Sequence, residues 1–196
     1  MKREEEAVIS QYAPFLDLMR KRRSIRRFEP RSVPPSMVEI LLKAFDSAPL
    51  AGGDRGRRCL MISDREVIRL LAEKGQQAYL AFLSSIESPF LKEAMDNYGQ
   101  NFFWFSEAPL IAAAVVRCPP SFLDTFCGPE AALFWGGHLS AAMGIENLLL
   151  MAPALGLGGC CLGGPLIVRT ALAELLNFGP REELSLIAAL GFSSES

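Results

Sequence analysis

Residues 108–116 read APLIAAAVV, nine consecutive apolar residues with no polar alternation. A strand with one wet face alternates apolar and polar side chains, so an unbroken run of this length belongs at the centre of a sheet covered on both faces. The run is too short to span a bilayer. Downstream, residues 131–155 are nearly all Ala, Leu, Met, Phe and Gly. That stretch is too long for a strand and reads as a buried helix, interrupted or bent at Pro153. Its outer face is too apolar for an ordinary amphipathic helix, which points to burial between two copies of the chain.

Working outward, residues 13–22 place Phe15, Leu18 and Met19 at helical spacing and predict a short amphipathic helix. Pro34-Pro35-Ser36 opens a second helix carrying Val38, Ile40, Leu41, Leu42, Ala44 and Phe45 to about Ser47, where Ala48-Pro49 breaks it. Residues 50–58 read as a loop and Cys59–Ser63 as a short strand. Residues 64–82 predict a helix with Val67, Ile68, Leu70, Leu71 and Ala72 as its buried stripe. An aromatic-rich helical stretch follows to about Phe105, then a glycine-rich turn at 156–164, a helix at 167–176 and a closing strand at 185–190. The order is α+β without internal repeats, and 196 residues, half of them apolar, suit one domain over 1–196.

Lys and Arg number 20 against 22 Asp and Glu, a net charge of -2, so there is no global attraction to nucleic acid or an anionic membrane. The opening MKREEEAVIS lacks the apolar segment of a secretory leader, and a cytoplasmic protein is expected. Five cysteines without CxxC spacing suggest neither a disulfide framework nor a zinc site, and no metal is expected. A single histidine, His138, leaves little scope for Ser-His or Cys-His catalysis. On its apolar helix it reads as a satisfied core or interface residue. A disulfide between the neighbours Cys160 and Cys161 would strain the peptide joining them, and they are read as free thiols.

Two clusters carry chemistry. Six Arg or Lys residues lie between Arg20 and Arg27 with Ser24 in their midst and no acid among them. They fit either a solvated helix end, whose dipole cations complement, or a phosphate clamp, because guanidinium forks bind phosphate oxygens bidentately. Residues 156–164, GLGGCCLGG, hold five glycines. They fit either a helix cap with a tight return or a backbone that approaches a planar ligand and presents N–H groups. The stretch follows a helix, unlike the dinucleotide fingerprint, which follows a strand.

RRSIRRF (22–28), SAPLAGG (47–53), EAPLIAAAVV (107–116), ENLLLMAPALGLGGCCLGG (146–164) and LIAALGF (186–192), in that order, resemble the nitroreductase family over roughly residues 22–192. The resemblance implies an α+β nitroreductase-like fold, a central mixed sheet wrapped by helices, and a homodimer with flavin mononucleotide (FMN) at the subunit interface. It places Arg22, Arg23, Ser24 and Arg26 at the flavin phosphate and ribityl chain. It places Pro49, Leu50, Ala51, Gly52 and Gly53 near the flavin on the substrate side, and Cys161, Leu162, Gly163 and Gly164 beside the isoalloxazine ring. The implied activity is ping-pong hydride transfer from NADH or NADPH through FMN to an oxidised organic acceptor such as a nitroaromatic or quinone. The flavin carries the chemistry, so no catalytic side chain is expected.

The departures are informative. Where the family reads APSAGNxQPW, the chain has APLAGGDRGR at 48–57, replacing that loop's amide, proline and tryptophan. The basic segment that in the family returns to the phosphate after the closing strand is not seen in residues 191–196, GFSSES, so one phosphate contact is expected to be missing and Arg55, Arg57 or Arg58 are candidates to assist the clamp. These changes motivate an alternative, a flavin-binding protein of the same family with specialised or lost turnover. A nucleic-acid module built on residues 20–31 is disfavoured by the negative net charge and the lack of a reader motif.

Overall fold

The computed structural model describes residues 2–50, 56–117 and 133–195. The elements in chain order are α1 Lys2–Lys21, α2 Pro35–Asp46, β1 Arg57–Ile62, α3 Arg65–Ser84, α4 Pro89–Gly99, β2 Leu110–Arg117, α5 Leu133–Ala154, β3 Gly158–Leu162, α6 Arg169–Leu175 and β4 Glu182–Gly191. Short 3-10 turns occupy Trp104–Glu107 and Gly164–Val168.

The strands form one sheet in the order β1-β2-β4-β3. Every residue of β2 except the terminal Arg117 is buried, as its unbroken apolar sequence requires. Ile111 and Ala113 join a cluster with Ile68, Leu71, Phe103 and Leu172 on one face. Leu110, Ala112, Ala114 and Val116 join Leu41, Phe45, Ile145 and Leu148 on the other. This period-two partition is how a strand apolar at every position satisfies two cores.

The α+β class is as expected, but the strand senses differ from a mixed sheet. All three neighbouring strand pairs are antiparallel, and parallel pairing among the described residues is confined to the isolated bridge between Ser24 and Gly159. The α3–α4 connection returns the chain to the sheet end where β1 stops, pairing Ile62 with Ile111, so β2 must run against β1.

Several boundaries also move. The first helix begins at Lys2 and accommodates Pro14, well before the expected start at residue 13. The loop expected at 50–58 ends early, because Arg57 and Arg58 already pair with Val116 and Val115. The supposed glycine turn at 156–164 contains β3, which docks against β4 from Gly158 to Leu162. In α3 the buried stripe holds Ile68, Leu71 and Ala72, whereas Val67 and Leu70 are exposed. Asp64 caps this helix by accepting from the Glu66 and Val67 N–H groups at 2.9 and 3.2 Å. Pro153 falls in the last turn of α5, where a proline leaves most of the helical ladder intact.

Candidate functional site

The basic segment leaves α1 at Lys21 and runs extended along the outer edge of β3. Ser24 pairs with Gly159, and the Ile25 N–H donates to the Gly159 carbonyl at 3.1 Å. This approach requires Gly158, because a Cβ there would lie 2.6 Å from Ile25 Cγ1. The guanidinium groups of Arg22, Arg23 and Arg26 make no hydrogen bond or ion pair within the described residues. Arg22 is half-buried and Arg23, Ser24 and Arg26 are exposed. Guanidinium forks with free donors among the described residues, beside a hydroxyl, suit an anion with several oxygens, such as a phosphate monoester.

The glycines of 156–164 have separate roles. Gly156, at φ +71°, ends α5 in a Schellman arrangement: its N–H donates to the Pro153 carbonyl at 3.1 Å, and the Leu157 N–H donates to that of Ala152 at 2.8 Å. Gly159 lies against Leu149, and Gly164 lies against the Phe102 ring, which a Cβ would overlap. Gly163 has an ordinary helical φ of -86°, and a Cβ there would meet nothing within 4 Å. Of the residues expected at the ring, Leu162 is buried in the core, whereas Cys161 is exposed. Ser24 is thereby joined to Gly163 along one strand edge about 13 Å long.

The other expected segment sits elsewhere. Arg57 pairs with Val116, whereas Gly159 reaches the sheet's opposite end through Leu190 and Leu110. The two positions are about 20 Å apart along the strands and about 14 Å across them. Pro49 and Leu50 lie at the Arg57 corner. The Arg57 guanidinium donates to the carbonyls of Phe45 (2.9 Å), Asp46 (3.3 Å), Ala48 (2.7 Å) and Pro49 (3.0 Å), and to that of Ser140. Burial pushes its pKa down, with Asp46 opposing. Leu50 lines a cleft of about 940 Å³ beside Arg57, Arg58, Arg117 and Arg181. Ala51, Gly52, Gly53 and Arg55 lie outside the described residues.

Two suggested helpers of the phosphate clamp are otherwise engaged. Arg57 caps α2, and Arg58 holds Glu182 bidentately with both contacts at 2.8 Å. Sequence reading missed the Arg57 cap because the carbonyls it serves come from the end of α2 and from α5, and nothing local marks their meeting.

His138 is half-buried, with Nδ1 3.0 Å from Ser185 Oγ and Nε2 3.8 Å from a Glu183 carboxylate oxygen. Burial lowers its pKa, Glu183 opposes, and Arg169 adds to the lowering. Cys160 is buried and Cys161 exposed, on opposite faces of β3, and both are free thiols. Burial drives the Cys59 thiol up to about 12. No group of His, Cys, Asp and Glu among the described residues is arranged to hold a metal, and no helix among them is long and apolar enough to cross a membrane.

Residues 19–192 match the model of the nitroreductase family. A putative NADH dehydrogenase/NAD(P)H nitroreductase of Archaeoglobus fulgidus is 29% identical over 182 residues, covering 92% of this chain and 86% of that protein. Among solved structures, a BluB-like flavoprotein from Clostridium difficile superposes with a TM-score of 0.79 at 21% identity, covering 93% of this chain and 91% of its own. A nitroreductase with bound FMN from Bacteroides fragilis gives 0.68 at 19% identity, with coverage of 92% and 89%. Both structures share the fold.

Proposed function

The chain belongs to the nitroreductase family, and from that premise we propose that it is an FMN-dependent NAD(P)H oxidoreductase that reduces an oxidised organic acceptor, such as a nitroaromatic or quinone, in the cytoplasm. The observation that supports this reading is the strip from Arg22 to Gly163, in which guanidinium groups without a hydrogen bond or ion pair among the described residues, and Ser24, are joined along β3 to a glycine with open space beside it.

The donor set fits FMN. Arg22, Arg23 and Arg26 would hold the phosphate, with Ser24 adding a neutral donor. The exposed Cys161 and Gly163, on either side of the buried Leu162, would lie beside the ring, where Gly163 leaves room for close approach and a backbone N–H directed at the ring would stabilise negative charge on a reduced flavin. When bound, FMN supplies hydride acceptance from the nicotinamide and delivery to the acceptor. The chain's part is binding, orientation and backbone hydrogen bonding, and no side chain of the strip is needed as an acid or base.

The site is shared by two copies. Pro49 and Leu50 stand at the far corner of the sheet from Ser24, so their contribution comes from a partner. The face for that partner is apolar and exposed in one chain: Leu139 and Met143 on α5 are 60% and 40% exposed, and Phe15, Leu16 and Met19 on the neighbouring α1 are also exposed.

An absorption spectrum of freshly purified protein, followed by anaerobic mixing with NADH and NADPH, tests the assignment. The expected result is a flavin spectrum that bleaches with at least one donor and recovers when a quinone is added. Flavin that stays oxidised with both donors would favour the flavin-binding alternative, and a chain that takes up no added FMN would defeat both readings.

A further inference from the structure

Beyond β4 the chain turns back onto the basic segment. The Glu29 N–H donates to the Phe192 carbonyl at 2.9 Å and the Ser194 N–H to that of Arg27 at 3.1 Å, around a bridge between Phe28 and Ser193. One carboxylate oxygen of Glu195 then accepts from two consecutive amides, those of Arg26 at 2.9 Å and Arg27 at 2.8 Å. Ser193 Oγ fixes this end by accepting from the Glu195 N–H at 3.0 Å and donating to the Glu195 carbonyl at 3.1 Å. Arg31 covers the Phe192 ring at 4.0 Å. The basic segment is thus held between Gly159 on one side and residues 192–195 on the other.

An acid among six cations would ordinarily pair with a guanidinium. Glu195 forms no contact ion pair among the described residues and takes backbone N–H groups instead; Arg27 and Arg26 act on its charge only through space, so the forks of Arg22, Arg23 and Arg26 keep their hydrogen-bond donors available. We propose that Glu195 is a positioning residue for recognition of the flavin phosphate: its carboxylate fixes the Arg26–Arg27 backbone and thereby preorganises the arginine side chains that meet the phosphate. The proposal rests on the assignment of the Arg22–Gly163 strip to FMN. Preorganisation strengthens binding by lowering the entropy lost when flexible cations are ordered. The effect therefore belongs to the phosphate and not to the ring.

The test compares the full-length wild type with Glu195→Ala and Glu195→Gln in titrations with FMN and riboflavin, together with thermal unfolding. Glu195→Ala should weaken FMN binding about tenfold, the scale of one charge-assisted contact, with riboflavin changed less than twofold and the unfolding temperature nearly unchanged. Glu195→Gln keeps an acceptor oxygen at the two amides and should recover part of the loss. Tighter FMN binding in Glu195→Ala would show that the carboxylate competes with the phosphate, and unchanged binding or equal losses for both ligands would show no phosphate-specific role. Each of these overturns the proposal while leaving the FMN assignment standing. A wild type that takes up neither flavin overturns that assignment and this proposal with it.

Discussion

The Arg57 guanidinium sits 4.8 Å from the centre of the Phe45 ring and donates to the carbonyl of the same residue at 2.9 Å. One cation therefore caps the C-terminal end of α2, packs on its last buried aromatic, and ties both to α5 through Ser140. Five carbonyls share this one group. Arg57→Ala is expected to lower stability by about 3 kcal/mol, since several of these oxygens would lose their partner at a partly buried site. Arg57→Lys should recover less than half, because an ammonium cannot present the planar fork. Urea unfolding of the three proteins measures this. A loss below about 0.5 kcal/mol would mean that the cap is replaceable by water.

The sheet's other arginine pair gives a pH signature. Glu182 is held down to about 2 by the bidentate Arg58 contact first and then by the Gly179 N–H. Its folded pKa lies below the ordinary 4.5, so the pair's contribution is fully present above about pH 4.5 and disappears as pH falls toward 2. The pair is partly exposed, with side chains 42% and 23% accessible, so solvent screening limits the contribution to about 1 kcal/mol. Stability measured from pH 7 to pH 3 should fall less steeply in Glu182→Gln than in the wild type. Parallel curves would assign the acid sensitivity to other carboxylates.

The central sheet was legible because its signal is one-dimensional: a strand buried on both faces must be apolar at every position, and residues 108–116 are. The glycines of 156–164 were not, because their reasons lie far away in sequence. Gly158 answers to Ile25, Gly159 to Leu149 and Gly164 to Phe102, and only Gly156 is a local cap. Five glycines thus looked like one turn when three of them admit neighbours to a strand and its flank. The arginine cluster was read as a candidate clamp, but Glu195 was missed, because no local pattern marks a carboxylate that meets amides 168 and 169 residues earlier.

The glycine assignments separate ligand space from packing. Gly163 has φ -86° and nothing within 4 Å of a built Cβ, so Gly163→Val should fold with an unfolding temperature close to wild type yet lose bound FMN. Gly164→Val should instead be destabilised by overlap with the Phe102 ring, by about 2 kcal/mol or more. Flavin absorbance per chain and thermal unfolding of both variants test this. Wild-type flavin content in Gly163→Val would remove the turn from the site.

The clamp itself can now be tested with cleaner controls, because the structure divides the arginines by occupation. Arg22 and Arg26 make no guanidinium hydrogen bond or ion pair among the described residues, whereas Arg58 is engaged with Glu182. If the strip binds FMN, Arg22→Ala should cost about 2 kcal/mol, roughly thirtyfold in affinity, as expected for losing a charge-assisted contact to a partly desolvated phosphate. Arg26→Ala should cost less, because Arg26 is more exposed. Riboflavin, which lacks the phosphate, should bind each variant as it binds the wild type. Arg58→Ala should leave the ratio of FMN to riboflavin affinity unchanged while reducing stability slightly. Light scattering on the same samples should report a dimer, because the apolar faces of α1 and α5 are untouched by these substitutions. Dimeric variants with equal losses for both ligands would show that the arginines support the fold and not the phosphate, and monomers would place them in the subunit contact instead.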